Sequence, residues 1–273
     1  MVRAFGKEYE QPHCQRLSCI YITAATMPLK LQCPCSLVID VYPLTQHNFS
    51  GFGTVIENPN PAIEPSMVLE QLPPKAVRAN QGTALKYVDV TKLLDLYGSA
   101  PSRVPSKVVM NMFVCAPRAL RNQGTFQVEI LERHPFTTQT FIPLGLCPAE
   151  QELAGYLVVV APSLPPSHGD ERLPVPVRSP STVRLPGRGL PDLTKVHAFL
   201  AKGSQAVTYG AGTWHAPMAV VGKKSVDFVV VQYANGIEIE DCQEVLIHSS
   251  GQEGIQVAVM SVGKQQIHVS PKL

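Results

Sequence analysis

From Leu37 onward the hydrophobic positions fall in short runs, and very little of the chain repeats at helical spacing. Leu37–Tyr42 is rich in β-branched residues and is closed by Pro43. Lys107–Val114, Phe126–Leu131, Gln139–Leu144, Tyr156–Ala161, Lys195–Leu200, Gln205–Tyr209, Thr213–Val221 and Val226–Tyr233 are runs of the same kind. Most are rich in Val, Ile, Phe and Thr and bounded by Gly, Pro or Asn, which is the signature of strands. Closely spaced strands of this sort predict a sandwich or a barrel. Leu93, Leu94 and Tyr97 recur at helical spacing and predict one short helix over 91–97. Ile255–Val262 is the only strand candidate in the tail.

Proline punctuates this pattern. Residues 58–74 carry five prolines, 98–105 form a polar connection, and 162–191 hold eight prolines with Arg172, Arg178, Arg184 and Arg188. The strand runs on both sides of 162–191 look alike, and lengthening a loop costs little free energy. That stretch is therefore read as a surface insertion between two strands of one barrel. The expected organisation is a disordered N-terminal extension over 1–36, one domain over 37–247, and a C-terminal tail over 248–273.

Composition narrows the class. Hydrophobic residues make up 45% of the 273 and charged residues 16%, so the chain has the material for a core and is not a disordered segment. Subtracting 21 acidic from 23 basic residues leaves +2, too little for a protein that holds nucleic acid by neutralising phosphates. The longest apolar runs fall far short of the roughly 20 residues that span a membrane. Seven cysteines is an odd number, and Arg3, Lys7, Glu8 and Glu10 break up any secretory leader. Reduced thiols in the cytoplasm are expected. A mitochondrial presequence is the alternative: Arg3, Lys7 and Arg16 near Ser and Thr favour it, and Glu8 and Glu10 oppose it. Cys33-Pro34-Cys35 has no second pair and is read as part of the arm, not as a zinc site.

Two segments carry candidate chemistry. Alternation along an extended chain puts Ile130, Glu132 and His134 on one face and Arg133 on the other. With Gln139 nearby, Glu132 and His134 on an inner face make a polar cluster whose burial is costly unless it is paired or binds something. At a strand rim the same triplet is simply solvated. The second segment, Gly210-Ala211-Gly212-Thr213-Trp214-His215, sets a glycine turn and the sole tryptophan before a histidine some 80 residues further on.

These two segments resemble the two motifs of the cupin superfamily. Glu132-x-His134, Gln139 and Gly145 occupy the frame of the first motif, with Glu132 in the place of a metal-binding His and Gln139 in the place of a Glu. Gly210-x-Gly212-x-x-His215 resembles the second, with Gly in the Pro position. The resemblance extends further. Glu132-Arg133-His134-Pro135-x-x-Thr138-Gln139-x-Phe141-Ile142-Pro143, then Tyr209-x-x-Gly212-x-Trp214-His215-x-Pro217, then Asp227-Phe228, is similar to the ureidoglycolate lyase family. Pro43-Leu44, Phe49-x-x-Phe52-Gly53-x-Val55-Ile56 and Asn80-x-Gly82-x-x-x-Lys86-Tyr87-x-Asp89 agree with it. Lys86 and Val88 stand where bacterial members carry Arg and His.

The resemblance implies an all-β, cupin-like jelly-roll barrel with Pro-rich insertions. It implies cleavage of ureidoglycolate to glyoxylate and urea in allantoin breakdown by a homodimer that takes a small-molecule substrate. Such a reaction needs a base, an acid and a site for a carboxylate. His134, His215 and Glu132 are the expected catalytic set. Lys86 or Arg118 is expected to hold the carboxylate, Gln139 to bind the urea amide, and Tyr209 and Trp214 to line the pocket. Asp227 is expected to anchor a histidine or the dimer. A divalent ion, nickel or manganese, on His134, His215 and Gln139 is a further expectation. The competing readings are another cupin enzyme on a small oxygen-rich acid, such as a metal-dependent dioxygenase or isomerase, and a non-catalytic cupin that binds a small acid.

Overall fold

Residues 156–161 explain the architecture. Every side chain from Tyr156 to Ala161 is buried, because a strand covered on both faces shows no alternation. Leu157, Val159 and Ala161 enter one apolar core, and Tyr156, Val158 and Val160 enter another. Two layers of packing therefore meet on a single strand. In this computed structural model, residues 28–34, 36–66, 69–121, 124–144, 154–177, 185, 187–249 and 254–259 are described.

In chain order the strands are β1 (Leu29–Gln32), β2 (Leu37–Pro43), β3 (Gly53–Ile56), β4 (Ala76–Ala79), β5 (Ala84–Tyr87), β6 (Lys107–Cys115), β7 (Thr125–Val128), β8 (Ile130–Arg133), β9 (Gln139–Leu144), β10 (Ala154–Ala161), β11 (His197–Lys202), β12 (Ala206–Tyr209), β13 (Trp214–His215), β14 (Ala219–Gly222), β15 (Val226–Ala234), β16 (Gln243–His248) and β17 (Ile255–Ala258). Two single-turn helices, α1 (Gln46–Phe49) and α2 (Glu238–Asp241), interrupt them. The larger sheet runs β1-β16-β8-β13-β10-β11-β2-β17-β7, with β14 also on β10. The smaller runs β3-β12-β9-β15-β6, and β4 pairs only with β5. Between the two sheets lies the aromatic core of Phe49, Phe141, Tyr156, Tyr209 and Phe228. Burying each such ring is worth roughly 1.5–3 kcal/mol. The backbones approach closely at Gly53, where a Cβ would lie 1.9 Å from the Thr208 carbonyl oxygen. Any other residue there would push β3 off β12.

This is an all-β fold, as the strand runs predict, and a cupin-like one, as the resemblance implies. Several boundaries differ. Phe126–Leu131 is two strands, β7 and β8, parted at Glu129. Thr213–Val221 is also two, since proline cannot supply a ladder N–H and Pro217 falls between β13 and β14. The helix expected over 91–97 does not form. Leu94 N–H instead donates to Thr138 Oγ1, and Asp95 makes an isolated bridge to Thr137.

The fold also extends past the expected 37–247 domain. β1 pairs in parallel with β16, and β17 lies between β2 and β7. Residues 1–27 and 260–273 lie outside the described residues. The proline-rich stretch lies between β10 and β11, and these two strands pair antiparallel. Its ends are tied by Leu164 N–H to the Leu190 carbonyl and by a bridge between Ser163 and Pro191.

Candidate active site

β8 and β13 place the first residues. His215 pairs in register with Glu132 on one side and with Val160 on the other, so both polar side chains enter the space between the sheets. Beyond the end of β8 the chain turns, and the Gly212 N–H donates to the His134 carbonyl at 2.8 Å. Gly212 has φ +71, a left-handed conformation that favours glycine, so this turn explains its place before His215. The ring centroids of His134 and His215 are 5.6 Å apart. Tyr209 stacks on His215 at 4.0 Å and nearly parallel. Gln139 faces Tyr209 across the β9–β12 pair and donates through Nε2 to Gln232.

Each histidine is held from behind. His134 Nδ1 is 2.6 Å from the Asp241 carbonyl, and His215 Nδ1 is 2.8 Å from the Thr213 carbonyl. A carbonyl only accepts, so both Nδ1 atoms carry a proton, and in a neutral ring so held it is Nε2 that presents the lone pair. Both Nε2 atoms are buried without a hydrogen-bond partner, as is Gln139 Oε1. The Glu132 carboxylate lies 3.5 Å from His215 Nε2, too far for a formed hydrogen bond. Burial first, then the neighbouring His215, pushes His134 down to about 4, against the weaker pull of Glu132. His134 is therefore neutral at ordinary pH. Burial raises Glu132, but contact with His215 and the proximity of His134 outweigh it and hold the carboxyl below its usual range.

The donor set suits a cation. One ligand atom each from Glu132, His134 and His215 lies within 4.8 Å of the others, and the anchored Nδ1 atoms are the usual support of metal-binding imidazoles. Among the described residues no Lys or Arg pairs with Glu132. A second group, Glu132, Cys242 and Glu244, shares the same carboxylate.

Glu132, His134, His215, Gln139 and Tyr209 thus line or border one space. Four other expected residues do not join them. Trp214 points to the opposite face of β13, fully buried, with Nε1–H on the Gly189 carbonyl, so it does not line the pocket. Lys86 is exposed on the β4–β5 hairpin, and Arg118 is exposed in the segment after β6. Asp227 is exposed on the outer face of β15, because its register partner is the outward Val114. Sequence reasoning missed Gln232, the Asp241 and Thr213 carbonyls, and Tyr97, whose hydroxyl donates to Asp241 at 2.7 Å. Backbone carbonyls leave no mark in a sequence, and only alternation along β15 could have flagged Gln232. A groove of about 570 Å³ lies beside the site under the hairpin and is lined by Lys75, Tyr87, Thr91, Lys92 and Thr208.

Fold and site together define a cupin-like protein with a polar centre between two sheets. The family profile described as ureidoglycolate lyase matches residues 36–253. The chain is 37% identical over 203 residues to the ureidoglycolate lyase of Schizosaccharomyces pombe, covering 73% of this chain and 86% of that protein. It is 37% identical over 200 residues to the Saccharomyces cerevisiae ureidoglycolate lyase (70% and 83%), and 31% over 193 residues to one from Burkholderia mallei (71% and 81%). The chain belongs to the ureidoglycolate lyase family.

Proposed function

We propose that this chain is a ureidoglycolate lyase that splits ureidoglycolate into glyoxylate and urea, acts as a homodimer and works in the cytoplasm in allantoin breakdown. The observation that carries the reading is the convergence of Glu132, His134 and His215, with both Nε2 atoms unpartnered, in a chain of this family. The free thiols of Cys115 and Cys242 agree with a reducing compartment.

The substrate carbon bears a hydroxyl, a ureido nitrogen and a carboxylate. Elimination breaks its C–N bond, with the electron pair leaving on nitrogen. The hydroxyl loses its proton as the C=O of glyoxylate forms, and the nitrogen gains one to give urea. Neutral His134 accepts the hydroxyl proton at Nε2. His215, when it carries a second proton at the Nε2 that faces Glu132, delivers it to the departing nitrogen. Gln139 Oε1 accepts from a urea N–H, and the Tyr209 ring holds His215 in plane.

A second reading has support in the same orphaned atoms. His134 Nε2, His215 Nε2 and the Glu132 carboxylate would hold a divalent ion, nickel or manganese, with Gln139 beside them. When bound, that ion polarises the oxygens of the substrate. The two readings exclude each other at one atom, since an Nε2 that ligates an ion does not move a proton.

A coupled assay for glyoxylate released from racemic ureidoglycolate tests both. Wild-type protein should turn over, and His134→Ala and His215→Ala should each lose on the order of 10²-fold or more in kcat. Near-normal release by both variants overturns the assignment. Turnover that survives exhaustive chelation removes the ion, whereas loss restored by nickel or manganese assigns the Nε2 atoms to it.

A further inference from the structure

The outer edge of β6 is poorly protected. β15 covers one side of it from Lys107 to Cys115, and it ends its sheet. Among the described residues no strand pairs with its other side. Natural edge strands are guarded by prolines, bulges or charges. β6 has none of these beyond Lys107 at its first position. Its outward face is a stripe of Val108, Met110, Met112 and Val114, each between 53% and 72% exposed. Ile142 and Leu144 of β9 extend that apolar face. Isolated apolar side chains on a surface are ordinary, but a contiguous patch marks an interaction site.

The stripe reads the same in both directions about Asn111: Val, Met, Asn, Met, Val at positions 108, 110, 111, 112 and 114. Self-complementarity of this kind suits a twofold interface, in which the same patch serves both subunits. Charge agrees. At one end of β6 lie Lys107 and Asp95, the latter accepting from Ser106 Oγ. At the other lie Asp227 and Arg118. All four are exposed. Antiparallel docking sets the Lys107–Asp95 end of one copy against the Asp227–Arg118 end of the other, each end carrying one charge of each sign, while parallel docking sets like ends together.

We propose that a second copy of this chain docks here, β6 antiparallel to β6 across a twofold axis at Asn111, joining two five-stranded sheets into one. In this register Met110 faces the partner subunit's Met112, and Asn111 faces its own copy. This locates the homodimer proposed above and does not depend on the reaction.

Cysteine cross-linking reads the register directly. Facing residues of antiparallel strands lie about 4.5–5.5 Å apart at Cα, within disulfide reach. Mild oxidation of Asn111→Cys should give a covalent dimer, and mass spectrometry should find two copies of the substituted β6 peptide joined by a disulfide. Val109→Cys, which faces the partner subunit's Phe113, should not link to itself. Met112→Lys, at an exposed position, should halve the mass by light scattering and leave the far-UV spectrum unchanged. A wild-type monomer, as expected if another part of the same chain covers the edge, overturns the proposal. So does a stable dimer in which Asn111→Cys forms no cross-link, though that outcome leaves the homodimer standing.

Discussion

β8 and β13 carry two buried polar clusters one residue apart, and the two clusters are built on opposite principles. On the face between the sheets, Glu132, His134 and His215 leave two imidazole nitrogens without a hydrogen bond. On the other face, Arg133 lies fully buried with its guanidinium 4.4 Å from the centre of the Trp214 ring. Among the described residues it has no direct carboxylate partner. Its Nε donates to Gln243 Oε1, and Nη1 and Nη2 donate to the carbonyls of Gly187, Arg188 and Gly189. Gln243 is itself held by Pro174 and Ile239. A satisfied polar cluster makes structure, and an unsatisfied one, held in place at the same depth, is available for chemistry. Residues 187–189 belong to the first kind, since they close over Arg133 and Trp214 directly behind the candidate site.

Removing Arg133 gives the largest effect on stability. Arg133→Met keeps the aliphatic stem but leaves Gln243 Oε1 and the part-buried carbonyls of Gly187 and Arg188 without this donor, while the Gly189 carbonyl keeps Trp214 Nε1–H. Each buried acceptor left without a donor costs about 1–3 kcal/mol. Denaturant unfolding should show that loss. The matching change on the other face, Glu132→Gln, removes no formed hydrogen bond and should shift stability by less than about 1 kcal/mol while suppressing turnover. Equal losses from the two variants would mean that the faces do not differ in kind.

Much of this contrast is legible along the chain, but not all. Alternation correctly sends Arg133 to the opposite side from Glu132. It cannot say that this side is also dry, because the cover comes from residues 187–189, far along the chain in a proline-rich loop. Gln139–Leu144 is legible to the residue because its flanking turn and its alternation agree. Tyr156–Ala161 is legible as a strand and silent about which core each valine serves. β1 escapes the pattern because a four-residue strand in a polar arm carries too little of it. The 91–97 helix fails because three apolar residues at helical spacing lose to tertiary bonds with Thr137 and Thr138. The motif around Lys86 is visible in the sequence, but its position outside the histidine group depends on a hairpin that pairs only with itself.

Acid should separate the two clusters by a smaller amount. His134 titrates near 4 in the fold, below the ordinary 6.5. A depressed pKa means the unfolded chain takes up the proton first, so the stability this group contributes is present above about 6.5 and lost as pH falls toward 4. The loss is on the order of 3 kcal/mol in chelator-treated protein. Denaturant melts at pH 7 and pH 4.5 should show part of it, and His134→Asn should flatten that portion of the profile. An unchanged slope in the variant would place the acid sensitivity elsewhere.

The smallest effect probes how the unsatisfied cluster is held. Tyr97, almost wholly buried, donates to Asp241, whose carboxylate also accepts from the Asn235 and Gly236 N–H groups. That bonding fixes the end of α2, and the Asp241 carbonyl there receives the His134 Nδ1 proton. Tyr97→Phe deletes one hydroxyl and leaves the ring against Phe136, so the cost should be about 1 kcal/mol. The carboxylate keeps two backbone donors, and kcat should therefore fall less than about tenfold with KM nearly unchanged. Asp241→Asn keeps the carbonyl anchor and should behave alike. If Tyr97→Phe reduced turnover as strongly as His134→Ala, the hydroxyl itself would be acting on substrate, and the carbonyl-anchored tautomer would no longer explain how His134 is held.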